Sequence, residues 1–270
     1  MRSKKTYRVA FVCAFTLFSL NLAYAYHPVS PYAYTLNNPI RFVDPDGKRI
    51  DDYYSSLNGK FLGRDGEAST TMRLIDDSRF QEISAQNNGT TSAVATSELQ
   101  NASKIITVNE GRIQTNLQSV ADNSRESGVE HSVIIILDRE EATISAVTGP
   151  TGINDQTLIE YYPGPATGAS FYNKPGGPII IGQAHGHPAS SDANKVTQKT
   201  MSSQDVQTAT LLQVPVYGID AMNGKQGSPA NIHRANPDGT IQHKIGTTQT
   251  ILMGQQAMEI WGRSKKPNYK

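Results

Sequence analysis

Cysteine is almost absent from this chain of 270 residues, and the single one, Cys13, lies in an apolar segment near the N-terminus. Disulfide bonds and metal sites built from thiolates are therefore excluded. Any zinc site in the chain must be built from histidine and carboxylate side chains.

Clustered charge of one sign is also lacking. The formal net charge is +1, and the first 25 residues carry four basic residues and no acid. The remainder has 21 basic residues (25 − 4) against 24 acidic ones, a balance of −3. A nucleic-acid groove needs clustered Lys and Arg, so we expect no nucleic-acid partner. Hydrophobic residues make up only 37% of the chain, which predicts a loop-rich protein with a modest core.

The N-terminal residues 1–25 have the organisation of a secretory signal peptide. A basic stretch is followed by the apolar run Val9–Leu22, and Ala23-Tyr24-Ala25 supplies a small-x-small cleavage site. The apolar run is shorter than the ~20 residues that span a bilayer, which disfavours the alternative of a membrane anchor. We therefore expect an exported protein with no stable membrane span after cleavage.

The next segment is dominated by turns. Residues 31–47 read PYAYTLNNPIRFVDPDG, in which Asn-Asn-Pro and Asp-Pro-Asp-Gly both interrupt regular structure. This stretch resembles the end of the RHS-repeat core of bacterial polymorphic toxins, so residues 26–48 are interpreted as an RHS remnant. The resemblance implies a toxin domain C-terminal to it, a protein target in another cell and an immunity protein as partner.

Residues 49–109 are polar and weakly patterned, and the sequence predicts a linker with one small hairpin. The hairpin is expected over Tyr53–Gly66, with two glycine turns. The stretch Gln86–Ser97 is rich in Asn, Gly, Thr and Ser and is predicted to be a loop or flexible linker.

From residue 110 onward, helical and strand patterns follow one another. A helical stripe formed by Ile113, Leu117, Val120 and Ala121 ends near Gly128. Strands are predicted at 133–137, at 142–147 with Gly149-Pro150 closing the hairpin, at 158–162, at 178–181 and at 214–219. A helix is predicted from Ser202, a hairpin at 232–245 turning at 236–239, and a helix at 255–261. This order predicts an α+β domain over residues 110–265.

Two histidines follow the predicted strand at 178–181. His185 and His187 are two residues apart, so in extended backbone they point to one face and can share one metal ion. Gly186 between them is expected to allow a tight turn. Asp205 is the favoured third ligand, although its spacing from Ser202 is also that of a capping box. Asp192 is the alternative.

The pattern His-x-His-Pro followed by Ser-x-x-Asp resembles the metal-binding core of the JAB/MPN (JAMM) metallopeptidases. The resemblance implies an α-β-α domain with a central mixed sheet and a zinc ion held by His185, His187 and Asp205. It implies that Ser202 lies beside the reaction centre. It also implies an upstream glutamate as the base, for which Glu130 is favoured and Glu126 is the alternative. The implied reaction is hydrolysis of a peptide or isopeptide bond in a protein substrate.

Three other functions stay open from the residues alone. A catalytically inactive MPN-type binding module would hold no zinc and would have Glu130 displaced. A different metal-dependent hydrolase, such as a nuclease, would need basic residues around the site, and the segment 150–200 is nearly neutral. The third is an exported structural fragment without activity, and the intact His-x-His-Pro and Ser-x-x-Asp motifs argue against it.

Overall fold

The computed structural model describes residues 50–152, 177–189 and 200–265. The predicted signal peptide, the RHS remnant, the strand at 158–162 and Asp192 all lie outside these ranges. Within them, no helix has both the length and the hydropathy needed to cross a membrane.

The first described segment forms a four-stranded sheet with two helices. Its elements are β1 (Ile50–Ser55), β2 (Phe61–Ala68), β3 (Met72–Ile75), α1 (Asp77–Gln86), α2 (Ala93–Asn101) and β4 (Lys104–Ile105). The strand order is β2-β1-β3-β4, with β1 and β3 parallel. The predicted hairpin is confirmed as β1–β2, and Gly59 takes a positive φ of 68° in its turn. The second predicted glycine turn is wrong, because Gly63 and Gly66 lie within β2.

The predicted loop at Gln86–Ser97 is wrong over its second half. Helix α2 begins at Ala93, where the Ser92 side chain accepts a hydrogen bond from the Ala95 amide. Ala95 and Leu99, one helical turn apart, are fully buried against β1 and α1. The polar composition of the stretch concealed this short apolar face, because only two of its residues carry the packing.

The remaining elements build a seven-stranded mixed sheet with helices. They are β5 (Thr107–Val108), α3 (Glu110–Ser127), β6 (His131–Asp138), β7 (Thr143–Thr151), β8 (Ile179–His187), α4 (Ser203–Leu212), β9 (Val216–Asp220), β10 (Asn231–Ala235), β11 (Ile241–Thr247) and α5 (Met253–Arg263). The strand order is β11-β10-β9-β8-β6-β7-β5. The pairs β8–β9 and β5–β7 are parallel and the others are antiparallel. The described protein is therefore of mixed α+β class, as predicted.

Helices cover both faces of this sheet. A Cβ built on Gly186 would meet Ser124 of α3, and one built on Gly182 would meet Ala257 of α5, so both helices lie on one face of β8. Helix α4 packs on the other face, where Ala209 joins a small cluster with residues of β9 and β10. Alternate residues of β8 point to opposite faces, so His185 and His187 face the α4 side.

Two local predictions are corrected here. Gly149-Pro150 does not close a hairpin, since β7 continues to Thr151 and pairs with β6 as far as His131. Gly186 does not make a tight turn, because β8 stays extended through His187. Its missing side chain instead lets β8 lie against α3, where a Cβ would come within 2.4 Å of Ser124 Oγ.

Candidate metal centre

The imidazole rings of His185 and His187 converge at the end of β8. The two Nε2 atoms are 2.9 Å apart, and the rings meet edge to face. Both side chains are buried, with 4% and 3% of their surface exposed. The spacing of the two histidines on one strand is sufficient to bring them together, as the sequence predicted.

Asp205 approaches the same point from the first turn of α4. Its Oδ1 lies 3.1 Å from His185 Nε2, and its Oδ2 lies 3.7 Å from His187 Nε2. Ser202 is the N-cap of α4: its backbone amide and its hydroxyl both donate to Asp205 Oδ2, at 2.7 and 2.8 Å. The Asp205 amide in turn donates to Ser202 Oγ at 3.1 Å. The carboxylate therefore caps the helix and faces the histidines at the same time.

Glu130 brings a second carboxylate to the histidines. It stands just before β6, and Ser132 two residues later pairs with His185 on the neighbouring strand. A carboxylate oxygen of Glu130 and one ring nitrogen from each of His185 and His187 all lie within 4.8 Å of one another, so this group could hold a metal ion. Glu126, the alternative, is on the exposed side of α3 and outside that group.

The charges of the cluster are strongly coupled. Burial lowers the pKa of His185, but Asp205 and Glu130 outweigh it and raise the pKa to about 9. Burial and the facing His185 lower the pKa of His187 to about 3. Burial opposes ionisation of Asp205, yet the two histidines and the Ser202 amide hold its pKa well below the ordinary value. Without a bound cation, the pKa directions favour a proton on the His185 ring next to Asp205.

Gly218 on β9 completes the floor of the cluster. A Cβ built there would be 2.8 Å from His187 Cε1, 3.3 Å from His187 Nδ1 and 2.8 Å from Met201 Sδ, so that edge of the ring lies against the glycine. Sequence reasoning missed this residue. The available signal was a glycine inside the predicted strand at 214–219, which often marks a close approach of another group.

The site places two imidazole rings and two carboxyl groups close together. Neutral imidazole and carboxylate are typical ligands of a divalent cation. Of the predicted residues, the structure brings together His185, His187, Asp205 and Glu130, with Ser202 in contact with Asp205. Compared with known proteins, the chain matches no family model, no curated protein and no solved structure.

Proposed function

We propose that the chain is a zinc-dependent metallopeptidase that hydrolyses a peptide or isopeptide bond in a protein substrate. The observation that carries the proposal is the convergence of His185, His187 and Asp205 from two elements, with Glu130 beside them. The expectation from the JAB/MPN resemblance is a ligand set of the same residues, in which the glutamate acts as the base.

The donor atoms fit the spacing that zinc requires. Ligand atoms at about 2.0–2.2 Å from a tetrahedral zinc ion stand about 3.4 Å from one another. The separations here are 2.9 Å between the two histidines and 3.1 and 3.7 Å from them to Asp205. Small adjustments of three side chains would therefore bring all of them to bonding distance, without movement of the strands.

A zinc ion held there would act as a Lewis acid on the scissile carbonyl and would lower the pKa of water toward ~7. Glu130, on the same face of the sheet as both histidines, takes the proton of the attacking water and passes it to the leaving amine. The Ser202 hydroxyl now donates to Asp205 Oδ2. Rotation of this hydroxyl lets it donate to the developing oxyanion instead.

The toxin assignment is supported by a different part of the chain. Residues 31–47 carry the resemblance to an RHS core end, and residues 1–25 carry the signal-peptide pattern. We propose that the protein is exported, acts on a protein inside a target cell and is neutralised in the producing cell by an immunity protein.

One observation favours a second candidate, an inactive MPN-type binding module. Both oxygens of Asp205 already have partners, since Oδ2 accepts from Ser202 and Oδ1 faces His185. An ion pair of Asp205 with a protonated His185 would satisfy the carboxylate without any metal, although Nδ1 of each histidine has no hydrogen-bond partner among the described residues. This candidate predicts a protein that binds its partner but holds no zinc.

Metal analysis of the purified chain and three variants separates these functions. We expect about one zinc per chain in the wild type and in Glu130→Gln, because Glu130 is proposed as base and not as ligand. His187→Ala and Asp205→Asn should lose the metal, and Glu130→Gln should lose hydrolysis while keeping it. Equal metal content in wild type and His187→Ala would refute the centre; loss of zinc in Glu130→Gln would make Glu130 a ligand.

Expression of residues 26–270 in the cytoplasm tests the toxin assignment. Growth should stop with the wild-type sequence and resume with Glu130→Gln. Growth arrest that persists in Glu130→Gln would show that the harm does not come from hydrolysis by this site.

A further inference from the structure

A second pair of imidazoles lies on the same face of the sheet, outside the proposed centre. His233 on β10 and His243 on β11 place their Nδ1 atoms 3.3 Å apart, with ring centroids at 5.4 Å. His233 is only 3% exposed, whereas His243 is open to solvent. The register aligns His233 with Gly218 of β9, and Gly218 with His185 of β8, so the two histidine pairs share one face.

The distance within this pair is better suited to a shared cation than to a direct hydrogen bond. Hydrogen bonds donated by N–H groups fall mostly between 2.7 and 3.2 Å. Two nitrogens bound to one tetrahedral zinc ion are about 3.4 Å apart, close to the observed 3.3 Å. The two Nδ1 atoms therefore stand at the separation that two ligands of one divalent transition metal require.

The surroundings hold the buried ring in place and supply negative charge. The Lys244 amide donates a long hydrogen bond to His233 Nδ1 at 3.4 Å, which a cation bound to this nitrogen would replace. Lys244 itself has a positive φ of 51°, so β11 bends locally at this point. Asp220 on β9 is the diagonal neighbour of His233, at about 7–8 Å between α-carbons. Its carboxylate accepts from the Asn223 side chain at 2.9 and 3.1 Å and is thereby fixed beside the pair.

We propose that His233 and His243 form a second binding site for a divalent transition metal such as Zn²⁺ or Ni²⁺. Imidazole suits these cations, and water completes the coordination because His243 faces solvent. The site is weaker than the proposed catalytic centre because the protein supplies two ligands there instead of three. Its ligands are distinct from those of that centre, since none of them is shared.

The two sites are close enough to influence each other. His185 and His233 are separated by one intervening strand, which places their α-carbons about 10 Å apart. A cation on His233 and His243 adds positive charge to the face that holds the first centre. Because like charges repel, a cation already bound at the first centre should weaken binding at the second site.

Calorimetric titration of the full chain with Zn²⁺, after removal of bound metal, tests the site. We expect two binding events in the wild type. In His243→Ala the weaker event should lose at least ~10-fold in affinity, while the stronger one is unchanged. His243 is chosen because its exposed side chain can be removed without opening the core, whereas loss of His233 would leave a cavity.

Two controls make the result specific. His131→Ala removes a histidine outside both pairs, held between Ser127 and Thr151, and should keep both binding events. His187→Ala should lose the stronger event and keep the weaker one, which separates the failure of one site from that of the other. A wild-type chain whose binding is fully retained in His243→Ala, whether as one event or two, would overturn the second site. A single wild-type event that is lost in His243→Ala would instead leave the second site standing and count against the first centre.

Discussion

At the scale of single residues, the candidate centre combines structural and chemical roles in the same side chains. Asp205 caps α4 through Oδ2 and faces His185 through Oδ1. A capping carboxylate is already held in one rotamer by two hydrogen bonds, so little conformational entropy remains to be lost when it binds a cation. The capping box and the ligand assignment are therefore compatible, and the first assists the second.

Gly218→Ala tests whether the floor beneath His187 matters for metal binding. The added Cβ would lie 2.8 Å from His187 Cε1 and from Met201 Sδ. The methionine end can move aside, but the imidazole cannot tilt without leaving its shared point with His185. We expect zinc affinity to fall at least ~10-fold, with overpacking costing about 1–3 kcal/mol of unfolding free energy. Competition with a chromophoric chelator measures the affinity.

Gly111→Ala is the matched control, because a Cβ there meets nothing within 4 Å. This position lies in the first turn of α3, where alanine should change stability by at most about 1 kcal/mol and leave zinc affinity unchanged. If Gly218→Ala binds zinc as tightly as the wild type, the His187 ring can move away from the added methyl group without losing the metal, and the proposed role of Gly218 is wrong.

At the scale of elements, the sequence predicted most of the main sheet and little of the small one. Strands such as β6 are continuous β-branched runs buried on both faces, and α3 has a long apolar stripe, so local pattern was enough. The four-stranded sheet uses short strands and helices with only two buried positions each. Its order, including the parallel β1–β3 pair, depends on packing between residues distant in sequence, which periodicity cannot show.

The candidate metal centre was also only partly predictable from local sequence. The convergence of the histidines followed from their spacing on one strand. The proximity of Asp205 and Glu130 depends on how β6, β8 and α4 are placed around the sheet, and only the family resemblance indicated it. The contact of Gly218 with the centre was not predicted, because it depends on the His187 ring of the neighbouring strand and not on the sequence around Gly218.

Helix α5 carries a partly buried acid, Glu259, whose effect on stability depends on pH. Burial raises the pKa of Glu259, although Gln255 and Arg263 oppose the shift. The folded state therefore holds this proton more tightly than the unfolded state, whose pKa is about 4.3. At a pH above the folded-state pKa, the ionised Glu259 side chain lowers the free energy of unfolding. This cost disappears as the pH falls from the folded-state pKa to the unfolded-state pKa.

Glu259→Gln should accordingly raise the melting temperature at pH 7, and the gain over wild type should vanish near pH 4. The glutamine keeps an oxygen that can accept from Gln255, whose amide now donates to Glu259 at 3.0 Å. Glu82→Gln on α1 is the control, since Glu82 is half exposed and pairs with Arg79 at the surface. It should change unfolding free energy by no more than about 0.5 kcal/mol. A gain in Glu259→Gln that stays constant with pH would contradict the assignment.

At the scale of the whole described domain, α5 joins the two sheets. Lys60 in the β1–β2 hairpin donates to the Trp261 carbonyl at 2.8 Å and lies 3.4 Å from the centre of the Trp261 ring. The indole nitrogen donates to the Asn58 carbonyl at 3.0 Å. A cation at the C-terminus of a helix and over an aromatic face is favourable on both counts. The small hairpin predicted within residues 49–109 is thus packed against α5.

This continuity determines how metal binding should couple to folding. The strands and helix that carry the ligands are held by their own apolar contacts, and Asp205 is fixed by its capping box. Zinc should therefore stabilise a fold that does not depend on it, unlike a small domain whose core is the metal site. Far-UV circular dichroism should stay unchanged when a chelator is added.

Zinc at about 100 times its dissociation constant should add about 2.7 kcal/mol to the free energy of unfolding. For a domain of this size, that corresponds to a rise of roughly 5–10 °C in melting temperature. Scanning calorimetry with and without chelator measures the shift, and Asp205→Asn should show none because it lacks the charged ligand. Loss of helical and strand signal on chelation at 25 °C would contradict a preformed frame. An equal shift in Asp205→Asn would place the stabilising ion elsewhere, with the His233–His243 pair as the first alternative to examine by His243→Ala.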